Sequence, residues 1–217
     1  MKIEVTIAAP VETVWNALRD REKIRHWHGW EYEGGLDEEI EQIYFTRAVE
    51  DGTTLRLGNG DVFAVEAVEG GSRVTLTRAP LGADPDWDAY YEDVTEGWIT
   101  FLHQLRFAVE RHPDDVRHTL FFAGAGPVSP IEDGALELIP ADSEIWYRSE
   151  HQLGVVVDAW GNGLLVLSHL PPSDQKPGGA SMAILSIYGD TDRDELEARW
   201  RAWWTEHYPE QVDLPGT

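Results

Sequence analysis

From Trp87 to Val109 apolar side chains recur at Tyr91, Val94, Trp98, Phe101, Leu102 and Leu105. At 100° per residue they all fall within an arc of about 100°, the width expected of a helix lying on a core. Glu and Asp crowd the first half of this run, while Arg106 and Arg111 stand at its end, as the helix dipole favours. Pro113 ends it. Ile99 and Phe107 lie outside the arc and read either as ordinary exposed apolar residues or as a second contact stripe.

Strand patterns precede this helix. Ile3, Val5 and Ile7 alternate with Glu4 and Thr6, the period of a half-buried strand. Pro10 opens a helix in which Val11, Val14, Trp15 and Leu18 share one face. Asp20 is placed to cap a second short helix with Ile24 and Trp27 as its apolar pair, and Gly29 stops it. Strands are expected at 39–48, 53–57, 61–68 and 73–79, separated by "EDGT", "GNGD" and "EGGS" turns, which makes an antiparallel meander.

The second half repeats the order. "RHTLFFAG" is strand-like, and a Gly/Pro-rich stretch, "AGAGPVSPIEDGA", follows it. "SEIWYRSE", "LGVVVDAW", "LLVLSHL" and "SMAILSIYG" then read as strands. A last helix is capped by Thr191 or Asp192 and carries Leu196, Trp200, Trp203 and His207 as its stripe, with Trp204 beside it. Two sets of strands, each closed by a tryptophan-bearing helix, hint at an internal duplication in which the second copy has lost its small helices.

Charge and composition limit the partners. The 217 residues include 40 acidic and 17 basic side chains, a formal charge of −23, which repels nucleic acid and anionic lipid. With no cysteine, disulfides, thiolate nucleophiles and Cys-ligated zinc are excluded. No apolar run approaches the ~20 residues of a membrane span, and the N-terminus reads as a strand instead of a signal peptide. A soluble, cytoplasmic protein is expected, with neither nucleic acid nor membrane as partner.

Few residues suggest chemistry. His26 and His28 form an H-x-H pair, but i and i+2 point to different sides of a helix and no further ligand is evident. They read as a solvated helix end, and no metal is expected. Asp84, Asp86 and Asp88 imitate a calcium loop, yet Ala89 stands where glycine is required and Thr95 where glutamate is. Gly124-Ala-Gly126 lacks the spacing of a dinucleotide fingerprint, and the stretch from Gly179 through Ser181 to Ala183 lacks the final glycine of a nucleophile elbow. His103 reads as a surface residue. Nothing pairs His151 or His169 with a carboxylate at a telling spacing, so no catalytic residue is assigned and no cofactor is expected.

"VTIAAPVETVWNALRDREKIRHW" at 5–27, "GSRVTLTRAP" at 71–80 and "EGWITFLHQLRFAVE" at 96–110 carry a resemblance. Here the chain resembles the START-like (SRPBCC, helix-grip) superfamily, and within it the Aha1-like branch of homologues of the activator of Hsp90 ATPase. The resemblance implies an α+β fold with a seven-stranded antiparallel sheet curled around the long helix, and a cavity between them. It places a START-like helix-grip domain at 1–112. Residues 114–217 then form a reduced second START-like or β-rich domain packed on the first, through the Ile99 and Phe107 side of the helix.

The function expected from this is non-catalytic binding of a small apolar or amphipathic molecule in the helix-grip cavity. Trp30, Phe45, Trp98, Phe101 and Leu105 would line it. The alternatives are a cyclase, dehydratase or hydrolase acting on a hydrophobic substrate, and a co-chaperone-like interaction module. A small hydrophobic ligand, a protein partner or a homodimer are the partners these readings leave open.

Overall fold

The computed structural model describes residues 1–32, 35–82, 90–126, 128–172 and 176–210. The opening alternation becomes strand β1 (Lys2–Ile7), with Ile3, Val5 and Ile7 buried and the residues between them exposed. Pro10 precedes helix α1 (Val11–Arg19), which buries Val14, Ala17 and Leu18. Asp20 caps α2 (Arg21–Arg25), its carboxylate accepting from the N–H groups of Glu22 at 2.9 Å and Lys23 at 3.2 Å. Gly29, at φ +53°, then turns the chain where a side chain would be strained.

The strand expected at 39–48 is instead helical. Helix α3 (Leu36–Glu41) runs on into one wide π-type turn over Gln42–Thr46. Leu36, Ile40 and Tyr44 recur at intervals of four and are all buried, so the helical period was present beneath a strand-like composition. Only β2 (Val49–Asp51) is extended here. Strands β3 (Thr54–Arg56), β4 (Val62–Val68) and β5 (Gly71–Thr77) follow as expected. The antiparallel sheet runs β1-β5-β4-β3-β2, five strands where the resemblance implied seven. The region between β1 and β2 is spent on helices.

Helix α4 (Tyr91–Arg111) begins its described course at Tyr91; Trp87 and the acidic run at 84–88 lie outside the described residues. Its Trp98, Leu102, Leu105 and Ala108 join Ile3, Val5, Phe63, Val74 and Leu76 from the sheet in one apolar cluster. Small helices on one side and a long helix across an antiparallel sheet make this unit an α+β helix-grip fold. Ile99 packs half-buried against the same cluster, whereas Phe107 is buried beside the His112 ring, 5.3 Å away.

The chain divides after Asp115. The second unit holds β6 (His118–Gly124), β7 (Glu144–Arg148), β8 (Gln152–Val157), β9 (Gly163–Leu170), β10 (Ala180–Ile187) and helix α5 (Arg193–His207). Its sheet order is β6-β10-β9-β8-β7, the same topology as the first sheet. In each unit the first strand pairs with the last of a four-strand meander, and a helix closes the set. Among the described residues, a single 3₁₀ turn (Ala135–Leu138) stands where the first unit has its helices. Asp192 is the cap of α5, accepting from Glu195 N–H at 3.1 Å. The buried stripe is Leu196, Trp200 and Trp204, continued by Tyr208, while Trp203 and His207 are half-buried and their rings stack at 4.2 Å.

Candidate functional site

Trp98 is the hub of an aromatic basin in the first unit. Its ring lies 5.3 Å from Phe63, 5.9 Å from Phe101, 6.1 Å from His28 and 6.4 Å from Tyr44. Most of these pairs are edge-to-face, the arrangement that ring quadrupoles favour. Four segments meet here: the turn after α2, the π turn after α3, β4 and α4.

A polar chain threads the basin. Glu39 Oε1 lies 3.2 Å from His28 Nε2, and His28 Nδ1 lies 2.9 Å from the Tyr44 hydroxyl. His28 and Tyr44 are fully buried, so the expectation of a solvated His28 is corrected; His26 alone is half-exposed. Two features produce the burial. The chain leaves α2 at Arg25 and reverses at Gly29, one residue after His28, and the π turn brings Tyr44 to meet the imidazole. Burial first, and the Glu39 charge second, push the Tyr44 pKa well up, so it stays a phenol with a proton to donate. An ionised carboxylate only accepts, which places the imidazole proton on Nε2 and leaves Nδ1 to accept from Tyr44. Glu39 is partly exposed and also accepts from the Tyr32 hydroxyl at 3.2 Å.

The expected lining residues fall into three groups. Trp30, Trp98 and Phe101 come together, with Trp30 and Phe101 half-exposed at the outer side of the basin and their rings 6.5 Å apart. The Phe101 ring is 4.6 Å from that of His28, so the aromatic outer side sits directly on the polar chain. Leu105 is fully buried in the same apolar cluster. Phe45 lies beneath two guanidinium groups, Arg21 at 3.8 Å and Arg19 at 4.8 Å from its centroid. These are cation–π contacts at the α1–α2 side.

A second buried cluster fastens α4 to the sheet. Asp61 is fully buried, and its carboxylate accepts from Ala79 N–H at 2.7 Å and Trp98 Nε1 at 3.1 Å. It pairs with Arg78 at 3.0 Å, and Arg78 reaches Thr95 Oγ1 at 2.6 Å. This arrangement fixes the Trp98 indole and so the wall of the basin.

His103, expected on the surface, is half-buried in a groove of about 430 Å³ between β1 (Glu4, Thr6) with the following Ala8 and α4 (His103, Arg106, Glu110). Burial, and secondarily the Arg106 charge, pulls its pKa down to about 4. Among the described residues, no three His, Asp or Glu side chains converge as a metal site, and no helix is long and apolar enough to cross a membrane.

Sequence reasoning missed the Glu39–His28–Tyr44 chain because 39–48 was read as strand. The i, i+4, i+8 spacing of Leu36, Ile40 and Tyr44 was the signal that could have found it. No family model and no curated protein matches the sequence. Three solved structures align over most of the chain. DynU16, from the dynemicin biosynthetic locus, is 14% identical over 96% of this chain and 95% of its own, with a TM-score of 0.34. The di-domain ARO/CYC StfQ of the steffimycin pathway is 13% identical over 88% and 85%, with a TM-score of 0.35. The di-domain ARO/CYC BexL of the BE-7585A pathway is 12% identical over 98% and 99%, with a TM-score of 0.33. At these values no substrate or residue role carries across.

Proposed function

We propose that the first unit binds a small, neutral, amphipathic aromatic molecule between Trp30 and Phe101, with its polar end toward the Glu39–His28–Tyr44 chain. One observation carries this reading: two half-exposed aromatic rings stand over a buried, hydrogen-bonded His–Tyr pair. An apolar wall with a few placed polar groups is the usual composition of a small-molecule site. The formal charge of −23 disfavours anionic ligands.

N-phenyl-1-naphthylamine, a neutral fluorescent amphiphile, tests it. Saturable binding is expected, weakened about tenfold by Trp30→Ala or Phe101→Ala, the loss of roughly 1.4 kcal/mol of aromatic contact. Phe45→Ala, under its two arginines, should leave the affinity unchanged. Non-saturable binding, or equal affinity in all three variants, would overturn the proposal.

A second reading, acid–base chemistry on the bound molecule, is favoured by the chain itself. Glu39, the partly exposed member, is the base, and His28 and Tyr44 orient its carboxylate. Exchange of the methyl-ketone protons of 2-acetonaphthone in D₂O should then be faster with the protein than with Glu39→Gln. Equal rates would remove this reading and leave binding standing.

A further inference from the structure

Strand β1 is an edge of the first sheet. β5 pairs with it on one side, and among the described residues no strand lies on the other. Arg78 N–H donates to the Met1 carbonyl at 2.9 Å, one step beyond the Lys2–Thr77 pair. Backbone groups alternate in direction along an antiparallel strand, so Met1, Ile3, Val5 and Ile7 turn their N–H and C=O groups toward β5. Lys2, Glu4, Thr6 and Ala8 turn theirs outward. Ala8 shows the direction, since its N–H donates to Glu110 Oε1 of α4 at 2.8 Å. Glu4 and Thr6 are exposed, and their outward backbone groups have no hydrogen bond among the described residues.

This edge borders the groove of about 430 Å³ between β1 and α4. Glu110 closes the groove at the Ala8 end and is held there by Arg106 at 3.3 Å. Before that stop stands a row of donors and acceptors in strand geometry, with open space beside it. Such an edge is a template for another chain, which proteins blunt with proline, bulges, covering segments or charge. β1 has neither proline nor bulge, and its register with β5 is unbroken from Lys2 to Ile7. Its guards are charges, and charges choose among partners.

We propose that β1 accepts an extended segment of a partner protein as an added antiparallel strand, and that this segment alternates basic and small apolar residues. The residues opposite Glu4 and Thr6 exchange N–H and C=O bonds with them, and their side chains lie on the exposed face that Glu4 occupies. Basic side chains there meet the Glu4 carboxylate. The residues between them turn to the α4 side, where Val5 and His103 line the groove and a small apolar group fits. His103, with its pKa near 4, is uncharged at pH 7 and does not repel the basic segment, and Arg106 is already paired with Glu110. The formal charge of −23 draws basic segments in and turns acidic ones away, a second copy of this chain included.

The probe is acetyl-Val-Lys-Val-Lys-Val-amide, followed by ¹⁵N–¹H NMR of the full chain. Saturable shifts and slowed hydrogen exchange are expected at the Glu4 and Thr6 amides, while the Ile3 and Val5 amides, which face β5, keep their exchange rates. Main-chain bonds supply the affinity of an added strand and side chains its specificity, so N-methylation of both lysine amides, or glutamate in place of both lysines, should each weaken binding by about tenfold. Thr6→Pro should do the same. It removes an N–H that makes no bond to β5, a change that edge strands tolerate, and unaltered exchange at Ile3 and Val5 shows the sheet intact. Should Thr6→Pro fail to fold, the N-methylated peptide decides on the wild type. Equal binding of the parent and N-methylated peptides would mean attraction by charge alone and would overturn the proposal. Equal binding of the glutamate peptide, or shifts away from β1 and the groove, would overturn it too.

Discussion

The Tyr44 hydroxyl donates to Nδ1 of His28 at 2.9 Å, with both side chains out of water. Tyr44→Phe would keep the ring packing against Trp27, Trp98 and Phe63 and remove only this donor. A buried acceptor left without its hydrogen bond costs roughly 1–3 kcal/mol. Urea unfolding should show a loss of that size with an unchanged m-value, and ¹⁵N NMR of the wild type should place the His28 proton on Nε2.

Arg78 and Asp61 form a buried ion pair that also holds Trp98 and Thr95. Removing one partner strands the other charge, at about 3–5 kcal/mol. Arg78→Met should therefore destabilise the first unit by about that much, and Arg78→Met with Asp61→Asn by clearly less. Chemical denaturation of the three proteins checks this, and equal losses in the single and double variants would argue against a stranded charge.

His103 makes stability depend on acid. Its folded pKa is depressed from 6.5 to about 4, so the folded state binds fewer protons than the unfolded one between those values. The contribution is fully present above about pH 6.5 and is lost as pH falls toward 4, by an amount on the order of 1–3 kcal/mol. His103→Gln should flatten that part of the stability–pH curve measured by thermal melts.

Gly126→Ala places a methyl group where the Tyr208 ring now lies. Tyr208 would have to move, and overpacking of this kind costs typically 1–3 kcal/mol. The same shift breaks the Tyr208–Asp133 bond, so the Tyr208 pKa, raised by burial first and by that bond second, should fall toward its ordinary value. Spectrophotometric titration of the phenol reads it.

Much of the architecture was legible locally. The Asp20 cap, the turn at Gly29, nine of the ten strands among the described residues and the inward arc of α4 follow from period and turn chemistry. At 39–48 β-branched and aromatic side chains imitate a strand, while the spacing of Ile40 and Tyr44 is helical. The stripe on α5 was misplaced by one residue because four tryptophans and tyrosines compete for it, and only packing chooses Trp204 over Trp203.

The candidate sites were legible only in part. Trp30, Trp98 and Phe101 were expected together from the helix-grip resemblance and the aromatic content, and their rings do lie near one another. Polar pairing does not. Glu39, His28 and Tyr44 meet through a π turn, His169 meets Ser181 through strand register, and Tyr208 meets Asp133 over two missing side chains.

By itself the sequence determined the order of strands and helices, the apolar faces and the large negative charge, because these depend on neighbours within a turn or a strand. The tertiary structure alone decided that His28 is buried, that the second sheet repeats the topology of the first, and which polar atoms lie within 3.2 Å of one another. A hydrogen bond is a matter of tenths of an ångström between residues that, as with Tyr208 and Asp133, stand 75 positions apart, and no local period encodes that distance.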